Sequence, residues 1–107
     1  MNKLKWDKEF ALEQAADDAE LLQELIDIFK DSFKEDFHRI EDGFDNSIPS
    51  QVNAAAHSIK GASASLGIQG INEVATAIEE DSRAGNLEVT REELPVLEAL
   101  LNELLAL

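Results

Sequence analysis

Apolar residues recur at three- and four-residue steps along almost the whole chain, which is the period of an amphipathic helix and not the alternation of a strand. The clearest run is Leu22, Leu25/Ile26, Phe29, Phe33, Phe37, Ile40 and Phe44. It predicts one long helix that starts after Asp17 or Asp18, both good N-cap residues with Glu20 following, and runs to about Asp45. Before it, residues 6–15 predict a shorter helix with Asp7 as its cap and Phe10 facing inward.

Residues 46–49 read as a turn, because Pro49 suits the first turn of a helix and not an interior. From there Val52, Ala55/Ala56, Ile59, Ala62/Ser63 and Leu66 form the stripe of a third helix, ending at Gly67 as the C′ glycine. Ile71, Val74/Ala75, Ile78 and Ser82 mark a fourth helix that closes at Gly85 and Asn86. Thr90 and Glu93 have the spacing of a capping box. Leu94, Leu97, Leu100/Leu101 and Leu104 make the last stripe, and Pro95 would move that helix's start toward Glu92. Four long amphipathic segments with short connections can bury their stripes only against one another. The expectation is an all-α fold: an antiparallel four-helix bundle with a short additional N-terminal helix across one end, a single domain over residues 1–107. Trp6 and the phenylalanines are expected in its core.

Composition narrows the function. The net charge is −14, from 23 acidic against 9 basic residues, which argues against nucleic acid, because phosphate binding depends on clustered Lys and Arg. There is no cysteine, so disulfides and thiolate metal sites are excluded, in keeping with a reducing cytoplasm. No segment approaches the roughly 18 apolar residues that span a bilayer. The first six residues hold no apolar run of signal-peptide length. A soluble cytoplasmic domain is expected. A monomer is favoured, since every apolar stripe is used by one four-helix core.

Against this acidity, residues 46–72 contain no Asp or Glu, where an average share would be about six. Near the middle of that gap sit His57 and Lys60. At about 100° per residue, His57 lies about 140° from Val52, so it faces away from the core or sits at its flank. Lys60, Gly61 and Ala64 share its face. Gly61 costs roughly 1 kcal/mol relative to Ala in a helix interior; it either opens the space beside the imidazole or permits close helix packing. A phosphoryl group on His57 would explain the set. It brings about two negative charges, each of which a carboxylate about 6 Å away would repel by roughly 0.7 to 3 kcal/mol. Lys60 would attract it, and a neutral imidazole is a competent nucleophile near neutral pH.

The run from His57 through Lys60, Gly61, Ser63 and Leu66 to Gly67 resembles the signature of histidine-containing phosphotransfer (HPt) domains: His-x-x-Lys-Gly, a small residue, then Leu-Gly about ten residues after the His. The likeness extends to the short first helix, the Leu- and Phe-rich second helix and Ala55 and Ala56 before the His. The resemblance implies that His57 is the phosphorylated residue, at Nε2, that Lys60 stabilises the phosphate and that Gly61 gives access. It implies a phosphotransfer intermediate with no kinase activity of its own, exchanging a phosphoryl group with receiver-domain aspartates in a multistep two-component phosphorelay. It implies response-regulator receiver domains as partners, with a hybrid histidine kinase as a further one. No cofactor is expected on this chain; Mg²⁺ is expected on the receiver. Apolar residues flanking the His helix, with exposed positions early in the second helix, would grip the partner.

Other readings of the same residues stay open. The runner-up is a non-catalytic helical adaptor that binds a protein partner through the uncharged face around His57. A kinase dimerisation helix would follow its His with an acid and soon a Pro, which this chain does not. A metal or hydrolytic site would need carboxylates converging on His57, and none is near it in sequence. His38 reads as a surface residue. Ser58, Ser63 and Ser65 read as small packing or solvent residues, with Ser63 a lesser candidate for helping the phosphate. The acidic runs at Asp17–Asp18, at 79–81 and at Glu92–Glu93 read as solvated faces or helix-start charges.

Overall fold

The computed structural model describes residues 3–107. Met1 and Asn2, with which the expected single domain begins, lie outside the described residues. Five helices follow in order: α1 (Lys8–Gln14), α2 (Ala19–Asp45), α3 (Pro49–Ser65), α4 (Gln69–Arg83) and α5 (Glu88–Leu105). Among the described residues there is no strand, only an isolated bridge between Trp6 and Ile68.

Local chemistry sets most of these boundaries. Asp7 caps α1 by accepting from Phe10 N, and Asp18 caps α2 by accepting from the amides of Glu20 and Leu21. Pro49 opens α3. The helix closes on Gly67, whose φ of 68° lets Gly67 N and Ile68 N turn back to the carbonyls of Ala64 and Ser63. That is a Schellman closure. Gly85 repeats it after α4, with Gly85 N on Ser82 O and Asn86 N on Asp81 O.

The last helix starts earlier than the capping-box spacing predicts. It begins at Glu88, and Thr90 lies inside it, fully buried, its Oγ1 without a hydrogen-bond partner among the described residues. The cap comes from another element: the Asp81 carboxylate on α4 accepts from Val89 N at 3.0 Å. Pro95 therefore stands in the helix interior, on its exposed side.

In the interior, α3 packs on α2 and α4, and α5 also packs on α2 and α4, so these four form a ring, with α1 set against α2. The core holds Leu22, Ile26, Phe29, Phe33, Phe37 and Ile40 of α2 against Val52, Ala56 and Ile59 of α3, Ile71, Ala75 and Ile78 of α4, and Leu97, Leu100 and Leu104 of α5. The aromatic residues divide. Phe29, Phe33 and Phe37 are buried, Trp6 packs at the margin, and Phe10 does not face inward: it is exposed, because it covers Gly67 at the surface. Nor is every apolar side chain consumed by the core, since Leu21, Ile28 and Ile48 remain exposed. No helix among the described residues is long and apolar enough to cross a membrane.

Candidate functional site

His57 stands midway along α3, on the side opposite Ala56 and Ile59, which are fully buried. Its side chain is 70% exposed, facing outward as the helical geometry predicts. Gly61, one turn on, has no atom within 4 Å of where a Cβ would stand. Its missing side chain therefore serves no close helix packing and leaves open space beside the imidazole.

Across this face runs α4, held by two side-chain amides. Asn53 Nδ2 donates to the Glu79 carbonyl at 2.8 Å, and Asn72 Nδ2 donates to the Lys60 carbonyl at 3.0 Å. As residue numbers rise along α3 their partners fall along α4, so the two helices are antiparallel and their register is fixed on both sides of the site. That register brings Glu79 to His57. Its side chain is only 2% exposed. Oε2 lies 2.5 Å from His57 Nδ1; Oε1 accepts from Lys60 Nζ at 2.7 Å and from Arg83 Nη2 at 2.9 Å.

The electrostatics follow from these contacts. The Lys60 hydrogen bond is the largest influence and holds the Glu79 carboxyl below the usual carboxylate range; burial pushes it back up, and the His57 hydrogen bond and the charges of both partners lower it again. An ionised Glu79 can only accept. His57 Nδ1 is therefore the donor, and in the neutral ring the proton sits there. The Nε2 lone pair is left free on a largely exposed imidazole.

Glu79 corrects two expectations. The setting of His57 is not free of negative charge: the acid-free stretch belongs to α3 alone, and the carboxylate arrives from α4. The run 79–81 is not a solvated face either, since Glu79 is buried, Asp81 caps α5 and only Glu80 is exposed. Lys60 shares the His57 side of the helix, but it is 32% exposed and ion-paired, not a free surface cation. Ser63 is fully buried and its hydroxyl donates back to the Lys60 carbonyl, so it turns away from any group on His57. Ser58 is exposed, and the Ser65 hydroxyl donates to the Gly61 carbonyl. His38 is a surface residue beside Glu41.

Glu79 and Arg83 are the residues that sequence reasoning missed. A signal was present: Glu79 falls four residues after Ala75 and three before Ser82, on the stripe that α4 turns inward. A glutamate there needs a cation, and Arg83 follows one turn later. Among the described residues no three His, Asp or Glu side chains come together as a metal-binding group.

A second feature adjoins the site. An apolar groove between α2 and α3 is lined by Leu25, Ile28, Phe29, Ala62 and Leu66, with Gln14, Ser32 and Ser65 at its edges. Ala62 is about 7–8 Å along the helix axis from His57 and about 140° around it, so the groove lies on the α2-facing flank of α3, with Ser65, one turn after Gly61, at its edge.

Compared with known proteins, residues 24–107 match the family model of the Hpt domain. No curated protein and no solved structure matches the chain.

Proposed function

The chain belongs to the Hpt domain family, whose members take part in phosphorelay signalling, and from that premise we propose that His57 accepts a phosphoryl group from the aspartate of a receiver domain and donates it to another. The ring of α2 to α5 is read as the family's antiparallel four-helix bundle, the scaffold for this exchange in the cytoplasm. The observation that carries the reading is the Glu79 contact to His57 Nδ1. It fixes the tautomer in which Nε2 is the nucleophile.

The transfer is written with its charges. The Nε2 lone pair forms the N–P bond as the bond from phosphorus to the aspartyl oxygen breaks, and the aspartate leaves with that electron pair as a carboxylate. The imidazole, still holding its Nδ1 proton, gains positive charge, and the buried Glu79 carboxylate stabilises it as it forms. Lys60, on the His57 side of α3, supplies a cation for the phosphoryl oxygens, and Gly61 leaves room for the receiver's acidic pocket, which is expected to supply Mg²⁺. The chain needs no nucleotide site, since the group arrives already activated. The groove from Leu25 to Leu66 provides apolar surface for gripping the receiver on the α2-facing flank of α3.

The test is incubation with phosphorylated receiver domains. The wild type is expected to gain an acid-labile, base-stable phosphoryl group, and His57→Gln to gain none. If no receiver of a broad panel transfers to the wild type, the adaptor reading takes its place.

A further inference from the structure

Lys60 has two demands on it. In the unphosphorylated site its ammonium is bound to Glu79 at 2.7 Å, yet the phosphoryl group needs that cation. If Lys60 simply left, Oε1 of a carboxylate whose side chain is 2% exposed would lose a charged partner, and an unpaired buried charge is costly. Arg83 removes the difficulty. It sits one turn beyond Glu79 on α4, and its Nη2 donates to the same oxygen at 2.9 Å, with a side chain that is 64% exposed and so free to follow small movements.

We infer that Arg83 is a positioning residue for phosphotransfer: the standing counter-ion of Glu79 that allows Lys60 to exchange from the carboxylate to the phosphoryl group. This rests on the phosphotransfer reading of His57. Charge favours it independently of the contact geometry. Glu79, Lys60, Arg83, a positively charged phosphoimidazole ring and a phosphoryl group of about two negative charges close to zero with Arg83 present. Without it they are left with one uncompensated negative charge in a partly buried cluster. A guanidinium suits the task because it stays charged at any working pH and keeps several donors in a fixed plane.

The experiment is a double-mutant cycle on Lys60 and Arg83 in the full chain, read by loading of His57 from phosphoramidate, by loading from a phosphorylated receiver and by the decay of the phosphohistidine. In the wild-type background Lys60→Ala is expected to slow loading about tenfold; in the Arg83→Gln background the same change should cost about twofold or less, because Lys60 is then tied to Glu79. Arg83→Lys should restore most of the Lys60 dependence. Melting curves of all variants accompany the rates, and the non-additivity should persist where the folded fraction is unchanged. Additive effects of the two substitutions, or an Arg83→Gln protein that loads like wild type, overturn the exchange while leaving phosphotransfer intact. A wild type that takes no phosphoryl group on His57 from either donor overturns the phosphotransfer reading itself, and the role of Arg83 with it.

Discussion

At the scale of single residues, the site turns on one buried carboxylate. Glu79 is ionised more readily than an ordinary carboxyl because Lys60 and His57 bind its charged form, despite the opposing effect of burial. A group whose pKa is lower in the folded state than in the unfolded chain stabilises the fold fully at pH values above its unfolded pKa, and that stability is lost as pH falls through the folded value. The stability advantage of the wild type over Glu79→Gln should therefore be constant near neutral pH and shrink on acidification below the usual carboxylate range. Denaturant unfolding of both proteins from neutral to strongly acidic pH checks this; an advantage that grows on acidification would contradict it. The same variant keeps an amide oxygen for Nδ1–H but loses the charge that, on the phosphotransfer reading, stabilises the developing imidazolium, so its loading by phosphoramidate should fall about tenfold. The sequence made His57, Lys60 and Gly61 legible because they share one face of one helix, where spacing alone determines which side chains meet. Glu79 and Arg83 escaped because their meeting with that face depends on the register between α3 and α4. Asn53 and Asn72 set this register through backbone carbonyls that no periodicity reveals.

At the scale of helices and their ends, glycines separate function from packing. Gly61 faces open space, so a methyl group there meets nothing within 4 Å, and Ala should stabilise α3 by about 0.5–1 kcal/mol through helix propensity. On the phosphotransfer reading, transfer from a receiver should nevertheless slow, because that open space is the proposed path of the partner. Gly70 is the opposite case. A Cβ on it would run into the Lys3 carbonyl oxygen, and its own amide donates to Leu4 O at 2.8 Å. Here the N-terminal segment lies along the α3–α4 turn, with Trp6 Nε1 on Leu66 O and Asp7 N on Gly67 O. Gly70→Ala should lower stability by about 1–3 kcal/mol, while Gly61→Ala raises it; thermal melts of the pair show both signs. The ends closed by local chemistry, at Asp7, Asp18, Pro49, Gly67 and Gly85, could all be read from sequence. The start of α5 could not, since its cap is the Asp81 side chain of the preceding helix and the Thr90 spacing points to a box that burial of Thr90 precludes.

Over the whole molecule, the four-helix stripe pattern determines what is inside, but it does not account for all the apolar surface. Ile28 is 65% exposed although it lies on the longest of the described helices, and it lines the groove between α2 and α3. In a chain of net charge −14, attraction to an acidic receiver pocket cannot come from the protein as a whole, whose field is repulsive. On the proposed reading, association relies on contact: apolar burial in the groove, with Lys60 and Arg83 as the local cations. Ile28→Ala isolates that contribution, since it removes exposed apolar surface and replaces it with a better helix former. Loading of His57 from phosphoramidate, which needs no docking, should stay within about twofold of wild type. Loading from a phosphorylated receiver at sub-saturating concentration should drop by about tenfold, the loss expected for one apolar anchor near the centre of an interface. Saturating receiver should recover the wild-type rate, because the chemistry at Nε2 is untouched. If the receiver reaction of Ile28→Ala is unchanged at every concentration, the groove is not part of the docking surface. If instead both donors are slowed equally, the substitution has disturbed α3 and the site itself.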